Sequence, residues 1–118
     1  MKIAAAIHDL MFSSKVNSAA QGKPIRWMPR GARVSEYVAQ ERPDVLLIDL
    51  GNPKLNAVAE IAALKANPET RGTVVIGYLG HELTELSDAA RAAGCDQVMA
   101  KGEFARRLPA LLGSVSAG

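Results

Sequence analysis

A single cysteine, Cys95, excludes an internal disulfide and any multi-cysteine zinc site, and fits a reducing cytosol. Aromatic side chains make up only 4% of the 118 residues, and the basic cluster Lys23, Arg26, Arg30 and Arg33 has just one, Trp27, within it rather than a repeated interleaving. Charge of one sign is also scarce. A formal net charge of +2 is far from the dense positive field of a dedicated nucleic-acid binder, so direct nucleic-acid binding is not expected and the cluster reads as a solvated sheet edge. Long hydrophobic runs are missing too: the stretch from Ile3 to Ile7 is cut short by His8 and Asp9, well below the ~20 apolar residues of a spanning helix. The chain is therefore expected to be soluble and cytoplasmic, without membrane contact. No Gly-x-Gly-x-x-Gly follows the first apolar run, and there is no Walker lysine loop and no Gly-x-Ser-x-Gly. The first loop, His8 to Ser14, lacks the Gly and Thr density that cradles a flavin phosphate.

Hydrophobic content of 48% is enough for one core, which points to one domain over residues 1–113 and a small polar tail over 114–118. Four apolar runs, Ile3 to Ile7, Val45 to Ile48, Thr73 to Ile76 and Gln97 to Ala100, suit strands buried on both faces. A fifth, Pro24 to Met28, carries proline and Arg26 and reads as an edge strand. Helical spacing lies between the runs. Phe12, Val16 and Ala19 or Ala20 share a face behind Asp9 as N-cap, and Val34 to Glu41 stops before Pro43. Val58, Ile61 and Leu64 line a third helix ending at Asn67-Pro68. The fourth runs from His81 to Ala93 with Gly94 as C-cap, and the fifth starts near Glu103 with a break expected at Pro109.

This order is β-α repeated five times, which right-handed crossovers turn into a parallel sheet with helices on both faces. The expected fold is α/β, flavodoxin-like and doubly wound, with strand order 2-1-3-4-5 and the weak second strand at an edge. Function in such sheets lies beyond the carboxyl ends of the strands. There the sequence places His8 and Asp9, then Asp49 with Leu50 to Pro53, then Gly77 and Tyr78, and last Lys101. Two carboxylates set close together repel, and a divalent cation relieves the repulsion; a lysine beside them suits a further anion, such as a phosphoryl group built on one acid.

Asp9, Asp49-Leu50-Gly51-Asn52-Pro53, Ala93-Gly94-Cys95-Asp96 and Lys101 together resemble the receiver domain of bacterial response regulators, over nearly the whole chain. The resemblance implies a two-component phosphorelay protein rather than an enzyme, with chemistry limited to its own phosphoryl group. It implies Asp49 as the phosphoacceptor, Lys101 and Tyr78 around the phosphoryl oxygens, and Mg²⁺ held by Asp9, Asp49 and the Gly51 carbonyl. A histidine kinase or phosphotransfer protein would be the donor. A downstream protein would dock on the face from the fourth helix to the fifth, around Glu82, Glu85, Arg91, Glu103 and Arg106, and the resemblance admits a homodimer.

Departures cluster at the site. His8 stands where a further acid belongs, and would either repel a cation when protonated or donate to Asp49 in its place. Tyr78, or Gly77 under a one-residue shift, replaces a small hydroxyl residue, Gly102 replaces proline, and Val98 or Met99 occupies the position of an aromatic switch. The span Gly77 to Leu86 (Gly-x-x-x-His-x-x-x-Glu-Leu) also resembles a less characterised receiver-like group. These departures motivate a second reading, a pseudo-receiver acting as a phosphorylation-independent interaction module. Asp49 would then anchor a loop, Asp9 would be an N-cap and Lys101 a solvated cation, while Cys95 fills a small buried slot.

Overall fold

Apolar runs without alternation have to be covered on both sides, and the computed structural model shows how. It describes residues 1–117, with side chains to residue 113. Strands β1 (Ile3–Ala6), β2 (Ile25–Trp27), β3 (Val45–Asp49), β4 (Val74–Leu79) and β5 (Gln97–Ala100) form one parallel sheet in the order β2-β1-β3-β4-β5. Helices α1 (Leu10–Ala20), α2 (Val34–Glu41), α3 (Ala57–Ala66), α4 (Thr84–Ala93) and α5 (Lys101–Ala117) alternate with them. Because successive strand residues point to opposite faces, Ala4, Ala6, Leu46, Ile48 and Val75 pack under α2, α3 and α4. Ile3, Ala5, Val45, Leu47, Ile76, Tyr78 and Met99 pack under α1 and α5. The flavodoxin-like order expected from the sequence is the one observed.

Local chemistry sets the element ends. Asp9 Oδ1 accepts from the Met11 and Phe12 amides at 2.8 and 3.4 Å and so opens α1. Gly94, at φ +110°, closes α4. Arg42 takes φ +49° to end α2 ahead of Pro43. The edge strand β2 is three residues long, with Arg26 paired to Glu41 at 3.2 Å and Arg33 to Glu36 at 3.5 Å.

Three boundaries differ from the sequence reading. The fourth strand does not stop at Ile76: Tyr78 pairs with both Asp49 and Met99, and its side chain is fully buried. Gly77 belongs to the strand because the Leu50 side chain fills the space beside it; a Cβ there would lie 2.6 Å from Leu50 Cγ. Helix α4 begins at Thr84 rather than His81, which is exposed in the preceding turn. Helix α5 starts at Lys101 and runs through Pro109 without a break. The bond lost at Pro109 is outweighed by Phe104, Leu108 and Leu112, all buried on the face that bridges it. Gly118 lies outside the described residues.

No helix among the described residues is long and apolar enough to cross a membrane.

Candidate functional site

Parallel strands bring their carboxyl ends to one rim, and at the junction of β1 and β3 the chain reverses its direction of winding. Asp49, the last residue of β3, stands at this crevice, half-buried. Its Oδ1 accepts the Gly51 amide at 3.1 Å, which holds the following loop against it. Asn52 Oδ1 then accepts the Lys54 amide at 3.0 Å and opens a short 3-10 turn over Pro53–Leu55.

Asp9 from the end of β1 and Lys101 from the end of β5 both lie within electrostatic reach of Asp49. Burial raises the Asp49 carboxyl above the ordinary aspartate value, and the Asp9 charge adds to the rise. The Gly51 amide and the Lys101 ammonium oppose it without cancelling it. Asp9 commits Oδ1 to capping α1, as Asp49 commits Oδ1 to the Gly51 amide, so each acid has a second oxygen outside these backbone bonds.

Tyr78 occupies the position beside Asp49 across the β3–β4 pairing, where the sequence placed either it or Gly77. Its ring stacks between Phe12 and Phe104, with centroids 4.5 and 4.6 Å away. The hydroxyl is buried, and Asp49 approaches it without a hydrogen bond of normal geometry, leaving it without a partner. Burial, then the charges of Asp49 and Asp9, push this phenol far above its usual value. Aromatic density that the fifth strand lacks at Val98 and Met99 is thus supplied from β4.

His8 does not join the acids. Its Nε2 lies 3.1 Å from the Met28 carbonyl, so the bond to Asp49 considered from sequence is not made. No group of three or more His, Cys, Asp or Glu among the described residues is arranged to hold a metal.

Two groups escaped the sequence reading. Glu60, in the first turn of α3, is 5% exposed and caps α2 from outside: its Oε1 accepts the Ser35 amide and hydroxyl at 2.9 and 2.8 Å. Burial works to raise this carboxyl, but the Ser35 bonds and the Arg33 guanidinium, 3.5 Å from Oε2, outweigh it and hold the group below the ordinary glutamate value. Lys65 donates to the Thr73 carbonyl at 2.7 Å, the Arg71 carbonyl at 3.2 Å and Asp96 at 2.9 Å, at the opposite end of the sheet. Cys95 is buried as expected, and desolvation pushes its thiol up to about 11.

Neither a family model nor a curated protein matches the sequence. Solved structures do. A response regulator from Hahella chejuensis superposes with a TM-score of 0.82 at 16% identity, covering 95% of this chain and 92% of its own. A response-regulator receiver domain from Rhodospirillum rubrum gives a TM-score of 0.79 at 16% identity, with 100% and 95% coverage. The Mn²⁺-bound form of response regulator Rcp1 gives 0.70 at 14% identity, with 98% and 91% coverage. At such identities the likeness is one of fold, and it extends over nine-tenths or more of both partners: this chain has the fold of the response-regulator receiver domains.

Proposed function

We propose that the protein is a receiver that accepts a phosphoryl group on Asp49 and signals through protein contacts. The observation that carries this reading is the electrostatic triangle at the rim, in which a half-buried Asp49 senses both Lys101 and Asp9 across the switch point of the sheet. A raised carboxyl is a more basic nucleophile. In the transfer, one Asp49 oxygen attacks the phosphorus of a phosphohistidine or a small phosphodonor. A new P–O bond forms as the donor's bond to phosphorus breaks with its electron pair, leaving an acyl phosphate. The Lys101 ammonium offsets the charge on the phosphoryl oxygens.

Two carboxylates and the Gly51 carbonyl are hard oxygen donors, the set that suits Mg²⁺ with retained waters. Asp9, Asp49 and Gly51 would hold the ion, and the Mn²⁺-bound neighbour is a receiver that holds a divalent cation. When bound, the ion supplies charge neutralisation to the incoming phosphoryl group. With His8 turned to Met28, the shell draws on two carboxylates only, so affinity for the cation is expected to be modest.

The message would leave through the α4–β5–α5 face. A groove of about 280 Å³ runs there past Leu83, Ser87, Arg91, Val98 and Glu103. Leu83 is 37% exposed, and its Cδ1 lies 3.7 Å from where a Gly51 Cβ would stand, so the groove adjoins the loop that Asp49 holds. A histidine kinase or phosphotransfer protein is the proposed donor.

Incubation with Mg²⁺ and a small phosphodonor, followed by intact-mass measurement, is expected to show a gain of one phosphoryl group that Asp49→Asn abolishes. Absence of the gain, together with absence of Mg²⁺ binding, would sink the proposal.

One observation favours a second reading, a phosphorylation-independent interaction module. The Tyr78 ring is fixed between Phe12 and Phe104 and fully buried, so the residue beside Asp49 is not free to follow a phosphoryl group. On this reading Asp49→Asn leaves partner binding unchanged.

A further inference from the structure

Arginines on this surface mostly meet acids: Arg26, Arg42, Arg91 and Arg107 each pair with a carboxylate at 3.1 to 3.7 Å. Arg30 and Lys54 pair with none among the described residues, and they share a cleft. The cleft, about 380 Å³, opens between the β2–α2 loop and the turn after β3, and His8, Arg30, Arg33, Lys54, Asn56 and Glu60 line it. Asp9, Asp49 and Lys101 do not, so it is separate from the crevice at the strand ends.

Its charge is cationic despite the acid. Glu60 is already saturated by Ser35 and Arg33, and although Arg33 is shared between Glu60 and Glu36, Arg30 and Lys54 remain as cations with no carboxylate partner among the described residues. Arg30 is also tethered. Its Nη2 donates to the His8 carbonyl at 2.8 Å, which leaves its other N–H groups for a ligand. Gly31, at φ +86°, makes the turn that brings Arg30 and Arg33 to the same wall, and the Ala32 amide closes it on the Pro29 carbonyl at 3.2 Å. Lys54 stands on the opposite wall, its backbone held by Asn52. Cations on two facing walls, with no Phe, Tyr or Trp in the lining, select for a compact multivalent anion rather than for a flat ring.

We propose that this cleft binds the phosphate end of a small phosphate-bearing molecule, with Arg30 and Lys54 as its principal ligands. The inference does not depend on phosphorylation of Asp49. It predicts saturable binding of inorganic pyrophosphate at constant ionic strength, followed by calorimetry and by amide shifts in an NMR titration. The shifts should concentrate at residues 30–33 and 54–56. Arg30→Ala and Lys54→Ala should each weaken binding by about tenfold or more, the loss of a charge-assisted hydrogen bond. Arg26→Ala, Lys101→Ala and Asp49→Asn should leave it unchanged, with circular dichroism confirming that every variant folds. A nucleoside diphosphate tested alongside identifies the source: tighter binding than pyrophosphate assigns an organic phosphate, and equal binding assigns the free anion. The proposal is overturned by any of three results: no saturable binding, an equal response to sulfate, or shifts that centre on Asp49 and Lys101.

Discussion

The two ends of the sheet are built to different standards. At the amino ends of β4 and β5 the buried and half-buried polar groups Thr70, Thr73, Lys65 and Asp96 all have partners. Asp96 Oδ2 accepts the Val75 amide at 2.8 Å and the Lys65 ammonium at 2.9 Å, Thr73 Oγ1 donates to the Pro43 carbonyl at 2.8 Å, and Thr70 Oγ1 to that of Leu64 at 2.6 Å. At the carboxyl ends, Asp49 is held above its ordinary value beside another acid, and the Tyr78 hydroxyl is buried without a partner. Buried polar groups normally find partners, and departures from that rule collect where a site is kept ready for something else. The lower end shows that this chain can close its networks, which makes the open upper end informative.

The contrast predicts opposite signs for mutations at the two ends. The largest effect is expected at the closed end. Asp96→Ala leaves the Val75 amide without its acceptor, while Lys65 keeps the Thr73 and Arg71 carbonyls, and should cost about 1–3 kcal/mol in urea unfolding, mostly from the orphaned amide rather than from the half-exposed ion pair. At the open end Tyr78→Phe removes a hydroxyl that Asp49 approaches without a hydrogen bond of normal geometry, while preserving the three-ring stack, and should stabilise the chain by about 1 kcal/mol. A loss of stability in that variant would show that the hydroxyl is satisfied in solution and would erase half of the contrast.

The smallest effects are a pair of pH profiles with opposite slopes. A carboxyl raised on folding, as Asp49 is, binds protons more readily in the native chain and so lowers stability as pH rises through the carboxylate range. Asp49→Asn should therefore raise Tm near neutral pH, by roughly 2 °C, with the gain shrinking on acidification. Glu60 is depressed, so its contribution is present above the ordinary glutamate value and is lost as pH falls through its lowered one. Glu60→Gln should lower Tm at neutral pH, and that deficit should shrink toward acid. Parallel rather than opposed profiles would break the comparison.

Much of this architecture was legible in the sequence because local chemistry and global fold agree there. Asp9 reads as an N-cap and is one, Gly94 reads as a C-cap and takes the left-handed φ, and the proline and charge in the second apolar run mark the edge strand it becomes. The gathering of Asp9, Asp49 and Lys101 followed from the strand order alone. What escaped depends on contacts that cross the chain. Gly77-Tyr78 resembles a turn until Leu50 is seen to need the missing Cβ and the aromatic stack to need the ring. Glu60 looks like any solvated acid in a first helical turn, since its partner Ser35 lies 25 residues away. Pro109 reads as a break because the burial that bridges it belongs to Phe104 and Leu108, five and one residues before it, and Leu112, three residues after it. The resemblance of motifs points to the rim at which one of its departures, Tyr78, leaves a buried polar group unpaired.

The central claim is that the rim is open because an anion belongs between Asp49 and Lys101. A crystal structure of the protein with Mg²⁺ and a phosphoryl mimic tests it most directly. The account predicts density bonded to the Asp49 carboxylate, contacted by the Lys101 ammonium, with a cation seated on Asp9, Asp49 and the Gly51 carbonyl. A bare Asp49 carboxylate at saturating mimic and cation would contradict it.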